Sequence, residues 1–201
     1  MKILALELST ARGSLVWLDK QVEEARDWPN DRKNSSTFFE NMESVTKRFG
    51  VPERIIVGLG PGSYAGTRIA ISAAIGLQVA SGATLIGYPS ICAFAGPTEY
   101  CVIGDARRKA FFIARVSGND LIEGPKLLAA AELEEEIDDL DPRLSIFCSE
   151  PLLQFPRAVI AYPSASILAR LACEAQRRFS LPPLSPIYLR EPHITMPKTV
   201  T

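Results

Sequence analysis

Hydrophobic and polar positions along this chain follow two rhythms, one strand-like and one helical, and the same succession appears in each half. Short apolar runs at residues 3–8, 14–18 and 22–28 predict three strands joined by the turns at 9–13 and Asp19-Lys20. A polar stretch at 29–36 leads into a helix predicted over 37–49. Phe38, Phe39, Met42, Val45 and Phe49 fall on one face of it at helical spacing. Thr37 and Glu40 offer a capping box at its start, and Gly50 with Pro52 ends it. A strand at 54–57, a helix at 65–81 and a strand at 84–87 complete the first half. The second half predicts strands at 100–104 and 109–116, a turn at 117–120, an acidic helix at 129–140 and a strand at 144–148. A short strand at Val159-Ile160 and a helix at 164–179 follow. The proline-rich stretch 182–197 reads as an extended strap, because proline disfavours both helix and central strand.

Three antiparallel strands followed by alternating helices and strands, occurring twice, predict an α/β chain with a duplicated ribonuclease H-like fold. This is the actin-like ATPase (ASKHA) architecture, two lobes of βββαβα type. The boundary falls near Pro97, giving an N-terminal lobe over 1–97 and a smaller C-terminal lobe with the proline-rich tail over 98–201. Such a fold hosts many activities and fixes none.

Composition narrows the classes. The 201 residues are 47% hydrophobic, enough for two lobe cores. The net charge of −1 and a pI of about 5.9 argue against strong autonomous binding to tRNA or other nucleic acid. The longest basic run is Arg107-Arg108-Lys109. No apolar run approaches the ~18–20 residues that span a bilayer. The N-terminus enters a strand at once without a signal-peptide pattern, so the chain reads as cytoplasmic. Cys92, Cys101, Cys148 and Cys173 lack paired metal-ligand spacing and read as reduced packing residues.

The most informative stretch is the glycine-rich turn at 58–68, between a strand and an apolar helix. Gly60, Pro61, Gly62, Ser63 and Gly66 form either a tight strand-to-helix connection or a phosphate cradle. It lacks the lysine of a Walker A loop, and it does not occupy the first βα turn that a dinucleotide fingerprint requires. In a nucleotide-binding version of the fold, each lobe offers an acid at the end of its first strand, here Glu7 and Asp105. That pair defines an ATPase or phosphotransferase alternative, with weak phosphate contact through Glu7, Ser9 and Thr10. Against it, no glycine occurs after Gly124, where an adenosine-binding loop would need one. A nuclease would need a cluster of carboxylates that these strands do not supply. His193, the single histidine, cannot build a zinc-protease pair and reads as an exposed tail residue. The acidic run 132–136 reads as a solvated helix face. No metal or cofactor is expected.

The helix at 65–81 is apolar nearly all round. Packing on a sheet explains one apolar face and leaves the other unexplained. Either the helix is buried on two sides within its lobe, or Ile69, Ala70, Ala73, Ala74 and Leu77 form a partner surface with Phe38, Phe39, Met42 and Val45.

Four motifs, in order, resemble one family. Ile3-Leu4-Ala5-Leu6-Glu7-Leu8-Ser9-Thr10 is similar to its opening ILAIDTAT. The stretch from Gly60 to Ile69 resembles its GPGSFTGLRIG hallmark, Ile103-Gly104-Asp105-Ala106-Arg107 its IDAR segment, and Pro186-Ile187-Tyr188-Leu189-Arg190 its PxYLR ending. The family is TsaB (YeaZ). The resemblance implies a non-catalytic, actin-like subunit of the machinery that makes threonylcarbamoyladenosine beside the tRNA anticodon. It also implies pairing with a TsaD-like transferase through first-lobe helices, recruitment of a TsaE-like ATPase, and a homodimer when the partner is absent. Here Glu7 replaces the usual Asp, Tyr64-Ala65 replace Phe-Thr, and Ser35-Ser36 stand where a histidine-serine pair is common.

Overall fold

The computed structural model describes residues 1–30 and 35–190. Part of the polar stretch at 29–36, the end of the strap and His193 lie outside the described residues. Strands β1 (Ile3–Glu7), β2 (Arg12–Leu18) and β3 (Glu23–Pro29) form an antiparallel meander. Helix α1 (Ser36–Phe49), strand β4 (Arg54–Gly58), helix α2 (Tyr64–Ser81) and strand β5 (Thr84–Tyr88) follow. Strands β4 and β5 add in parallel, giving the order β3-β2-β1-β4-β5. Beyond a 3-10 turn at Ser90–Cys92, the second sheet contains β6 (Glu99–Asp105), β7 (Ala110–Ser117), β8 (Asp120–Ala129), β9 (Ser145–Cys148) and β10 (Ala158–Ile160). Its order, β10-β9-β6-β7-β8, repeats the first strand for strand. Helix α3 (Ala130–Asp139) lies before β9 and α4 (Ala165–Leu171) after β10. The predicted duplicated ribonuclease H-like, actin-like fold is therefore present.

Alternation along β1 distributes its side chains between two cores. Leu4 and Leu6 join Trp17, Ile55 and Val57 beneath α1 and α2, while Ile3 and Ala5 face inward with Val16 and Ile56. The inward core continues through Ala165, Leu168 and Ala169 of α4 to Tyr100, Val102 and Ala114 of the second sheet. Helix α4 thus follows the second sheet in sequence yet packs on β1, β2 and β4 of the first. It is fastened there by the Ala165 N–H donating to Ser14 Oγ at 2.9 Å and by Arg54 Nη1 donating to the Ala172 carbonyl at 2.5 Å. The outer face of the second sheet is covered by Leu133 and Ile137 of α3, whose Glu134, Glu135, Asp138 and Asp139 are exposed.

Four local expectations are corrected. Helix α1 begins at Ser36 with Ser35 as its N-cap and no side-chain capping bond, so Thr37 lies inside the helix and the Thr37–Glu40 capping box does not form. Strand β8 fills the stretch between the predicted turn at 117–120 and the predicted helix at 129–140, where no element is expected, and it carries Gly124-Pro125. An edge strand tolerates proline, and the β7–β8 register shifts opposite it between Ile113 and Val116. Helix α4 stops at Leu171, eight residues before Phe179, the predicted end. Arg177 leaves the helical path to donate to Tyr88 Oη (2.7 Å), Asp120 Oδ1 (2.6 Å) and the Gly118 carbonyl (3.0 Å). Ser180 then bridges Gly87 at the free edge of β5. Finally, three of the four free cysteines are buried, but Cys173 is exposed. Burial pushes the Cys92 thiol up to about 12 and that of Cys101 up to about 11, so neither is a nucleophile at neutral pH.

Candidate functional site

Between the two sheets lies a cleft of about 460 Å³. The first lobe supplies Ser9, Thr10 and Ala11 from the β1–β2 loop, with residues 61–65 from the glycine turn and the start of α2. The second supplies residues 104–107 at the β6–β7 turn, with Ser149 and Glu150. The strap, 186–190, closes one side.

The glycine turn is built to fit the β1–β2 loop. A Cβ on Gly58 would lie 1.8 Å from Glu7 Oε2, one on Gly62 2.1 Å from the Ser9 carbonyl oxygen, and one on Gly66 2.1 Å from that of Leu8. These three glycines, four residues apart, seat the turn against residues 7–9 and leave no room for a side chain. The Ser63 N–H donates to the Ser9 carbonyl at 2.5 Å, and Ser63 Oγ caps α2 by accepting from the Gly66 N–H at 3.2 Å. Gly60 exchanges bonds with Ser90: its N–H donates to Ser90 Oγ (2.9 Å) and its carbonyl accepts from the Ser90 N–H (2.8 Å). Gly60, Pro61, Gly62, Ser63 and Gly66 thus make a strand-to-helix connection whose groups are used in packing and capping.

Glu7 and Asp105 do not meet. Glu7 is 0% exposed behind Ser9 and Gly58, outside the cleft wall. Its Oε1 accepts the Ser9 N–H at 2.6 Å, while Oε2 lacks a hydrogen-bond partner of ordinary geometry. Desolvation raises the Glu7 pKa, offset in part by the neighbouring Ser9 and Ser90 side chains. The expectation of phosphate contact or catalysis through Glu7 is corrected by this burial. Ser9 and Thr10 do line the cleft, but Thr10 Oγ1 is turned back to the Arg12 carbonyl at 3.0 Å. Asp105 also lines it, and its carboxylate accepts from the Arg107 N–H (2.6 Å) and Arg107 Nη1 (2.9 Å). No group of three or more His, Cys, Asp or Glu that could hold a metal ion occurs among the described residues.

The cleft mouth has an aromatic and basic character that single-sequence reading missed, because its parts come from three distant segments. Tyr64 and Tyr188 approach with ring centroids 5.5 Å apart. Arg68 lies 5.0 Å above the Tyr64 ring and donates to Tyr64 Oη at 2.5 Å. Opposite, Arg107, Arg108 and Lys109 all have left-handed backbones, with φ of 65°, 54° and 60°. Consecutive non-glycine residues in this region cost roughly 1–2 kcal/mol each. The run of three left-handed residues was not legible in their identities, none of which favours that region.

The proposed helical surface also changes composition. Phe38, Val45, Ala70 and Ala74 are interior to the first lobe, packed on its sheet, and cannot meet a second chain. Met42, Ile69, Ala73 and Leu77 are half-buried at the margin. The outward face of α2 instead carries Ser72, Ile75, Gly76 and Val79, with Ile75 41% and Val79 81% exposed, and α1 presents Phe39 at 44%. A Cβ on Gly76 would meet nothing within 4 Å. Ala70 and Ala74 face inward, yet the outward face from Ile75 to Val79 is apolar beyond the exposed Arg68 and Ser72. Among the described residues no helix is long and apolar enough to cross a membrane.

Comparison with known proteins agrees with the fold. A crystal structure of a Pseudomonas aeruginosa protein described as similar to the peptidase YeaZ superposes with a TM-score of 0.73 at 21% identity, covering 94% of this chain and 99% of that one. YeaZ from Pseudomonas aeruginosa gives 0.71 at 18% identity, covering 94% and 100%. Uncharacterized proteins of Mycobacterium tuberculosis and Mycobacterium bovis are 29% identical over 142 residues, 70% of this chain; the match spans 65% of their own length. No family profile matches the chain.

Proposed function

We propose that this chain is a non-catalytic, partner-binding subunit of the machinery that threonylcarbamoylates the tRNA adenosine next to the anticodon, docking a TsaD-like transferase through its first lobe. The supporting observation is the outward face of α2, where Ile75 and Val79 stand one turn apart in solvent beside Gly76. A polar exterior is the norm for a helix on a sheet, and an exposed apolar stripe points to a protein interface. The motif resemblance and the YeaZ-like fold support the choice of partner. A TsaE-like ATPase is the further partner of this reading, and self-association through the same stripe is expected when the transferase is absent.

The alternative, an ATPase or phosphotransferase using Glu7 and Asp105, lacks a geometric basis, since the first acid has no access to the cleft. Sedimentation of the purified chain with and without the transferase tests the proposal. The expected result is a heteromeric complex that replaces self-association and fails to form with Val79→Glu. A complex indifferent to that charge would remove the proposed surface. Turnover of Mg-ATP by the isolated chain, abolished by Glu7→Ala, would revive the enzymatic reading.

A further inference from the structure

We infer that the mouth of the inter-lobe cleft docks single-stranded nucleic acid, one unpaired nucleotide entering between the lobes. The net charge of −1 conceals a local concentration of cations. Arg107 and Arg190 line the cleft, Arg68 stands over Tyr64 at its rim, and Arg108 and Lys109 follow Arg107 along the β6–β7 turn. Two carboxylates share the cleft. Asp105 is occupied by Arg107 at 2.9 Å, and Glu150 Oε1 accepts the Asp105 N–H at 3.3 Å. Arg108, Lys109 and Arg190 are exposed and make no hydrogen bond or ion pair among the described residues. The left-handed run holds Arg107, Arg108 and Lys109 at the tip of a hairpin.

Charge alone would suit any polyanion; the aromatic pair narrows the choice. Tyr64 and Tyr188 pack on each other with Arg68 over the Tyr64 ring, yet they keep 51% and 40% of their surface exposed, and bases stack on exposed aromatic surface whatever their identity. An acidic peptide has no base to stack, and a duplex keeps its bases turned inward. A cleft of about 460 Å³ admits one nucleotide-sized group and not a helix. This inference concerns a surface separate from the outward face of α2 and stands or falls independently of the proposed transferase pairing.

The test is fluorescence anisotropy of the full chain alone with a labelled eight-nucleotide single-stranded RNA at 50–200 mM salt. A dissociation constant on the order of 10–100 μM at low salt is expected, with a log–log salt slope of about −2 to −3 from three or four phosphate contacts. Arg108→Glu, Arg190→Glu and Tyr188→Ala should each weaken binding at least about fivefold, the two arginine substitutions leaving the melting temperature unchanged. Arg108 and Arg190 are solvent-exposed, so a change in binding at constant melting temperature reports the surface. The inference is overturned by no binding at 50 mM salt, or by variants that bind like the parent. It is equally overturned if the matching duplex or a polyglutamate peptide binds as tightly. Full displacement by adenosine monophosphate at the concentration that half-saturates a mononucleotide site would assign the cleft to a small molecule and overturn it too.

Discussion

At the scale of single residues, Glu7 shows how burial converts a motif acid into a structural group. Its carboxyl is held above the usual value of 4.5 by desolvation. A raised carboxyl pKa means the folded state keeps its proton longer than the unfolded state does. The stabilisation is therefore complete below about 4.5 and is lost as pH rises through the folded value. Glu7→Gln mimics the protonated form and should remove that loss. Thermal melts at pH 4.5 and pH 8 should show the variant close to the parent at the lower pH and at least about 2 °C more stable at the higher. A parent that gains stability relative to the variant as pH rises would contradict this account. Arg177 is the opposite case, a charge that structure requires. Its guanidinium is nearly covered and serves Tyr88, Asp120 and Glu174 together. Arg177→Ala removes the donor shared by Tyr88 Oη, Asp120 Oδ1 and the Gly118 carbonyl and should cost about 1.5–3 kcal/mol in denaturant unfolding. An Asp120→Ala double-mutant cycle should reveal coupling, since Asp120 Oδ1 accepts from both Arg177 and Tyr88.

At the scale of elements, strong periodicity was readable and tertiary redirection was not. The meander at 3–28, helix α1 and helix α2 follow from alternation and helical spacing in the sequence. The single-sequence pattern could not reveal β8, because the Gly124-Pro125 pair argues locally for a turn while the β7 edge imposes pairing. Nor could it end α4 at Leu171, because the ligands of Arg177 come from residues far away in sequence. The candidate site was legible only in pieces. The glycine turn stood out, but its mating with residues 7–9 and the meeting of Tyr64 with Tyr188 are products of the fold. The same logic separates two substitutions on α2. Ala74→Asp places an unpaired carboxylate against the sheet and should unfold the first lobe, whereas Val79→Glu should leave the melting temperature within about 1 °C. Circular dichroism melts distinguish them. Only the second is a clean probe of partner binding.

At the scale of the whole molecule, the two sheets are joined by a helix that belongs to one half in sequence and to the other in space. Ile3, Ala5, Val16 and Ile56 are covered by α4, so residues 1–97 expressed alone would leave one face of their sheet bare. That fragment is expected to bind a hydrophobic dye and to melt without a cooperative transition in calorimetry, while the 201-residue chain melts cooperatively. A sharp, dye-free transition in the fragment would show that the boundary near Pro97 separates two self-sufficient units.

The crossing of α4 also sets a schedule. During synthesis the first meander emerges long before residues 165–171, which must clear the ribosome before its inner face finds cover. At ~5–20 residues per second, that interval lasts on the order of ten seconds, during which a β-branched apolar sheet is open to other nascent chains. The length of that wait is imposed by one seven-residue segment, which the chain reaches only after the whole second sheet.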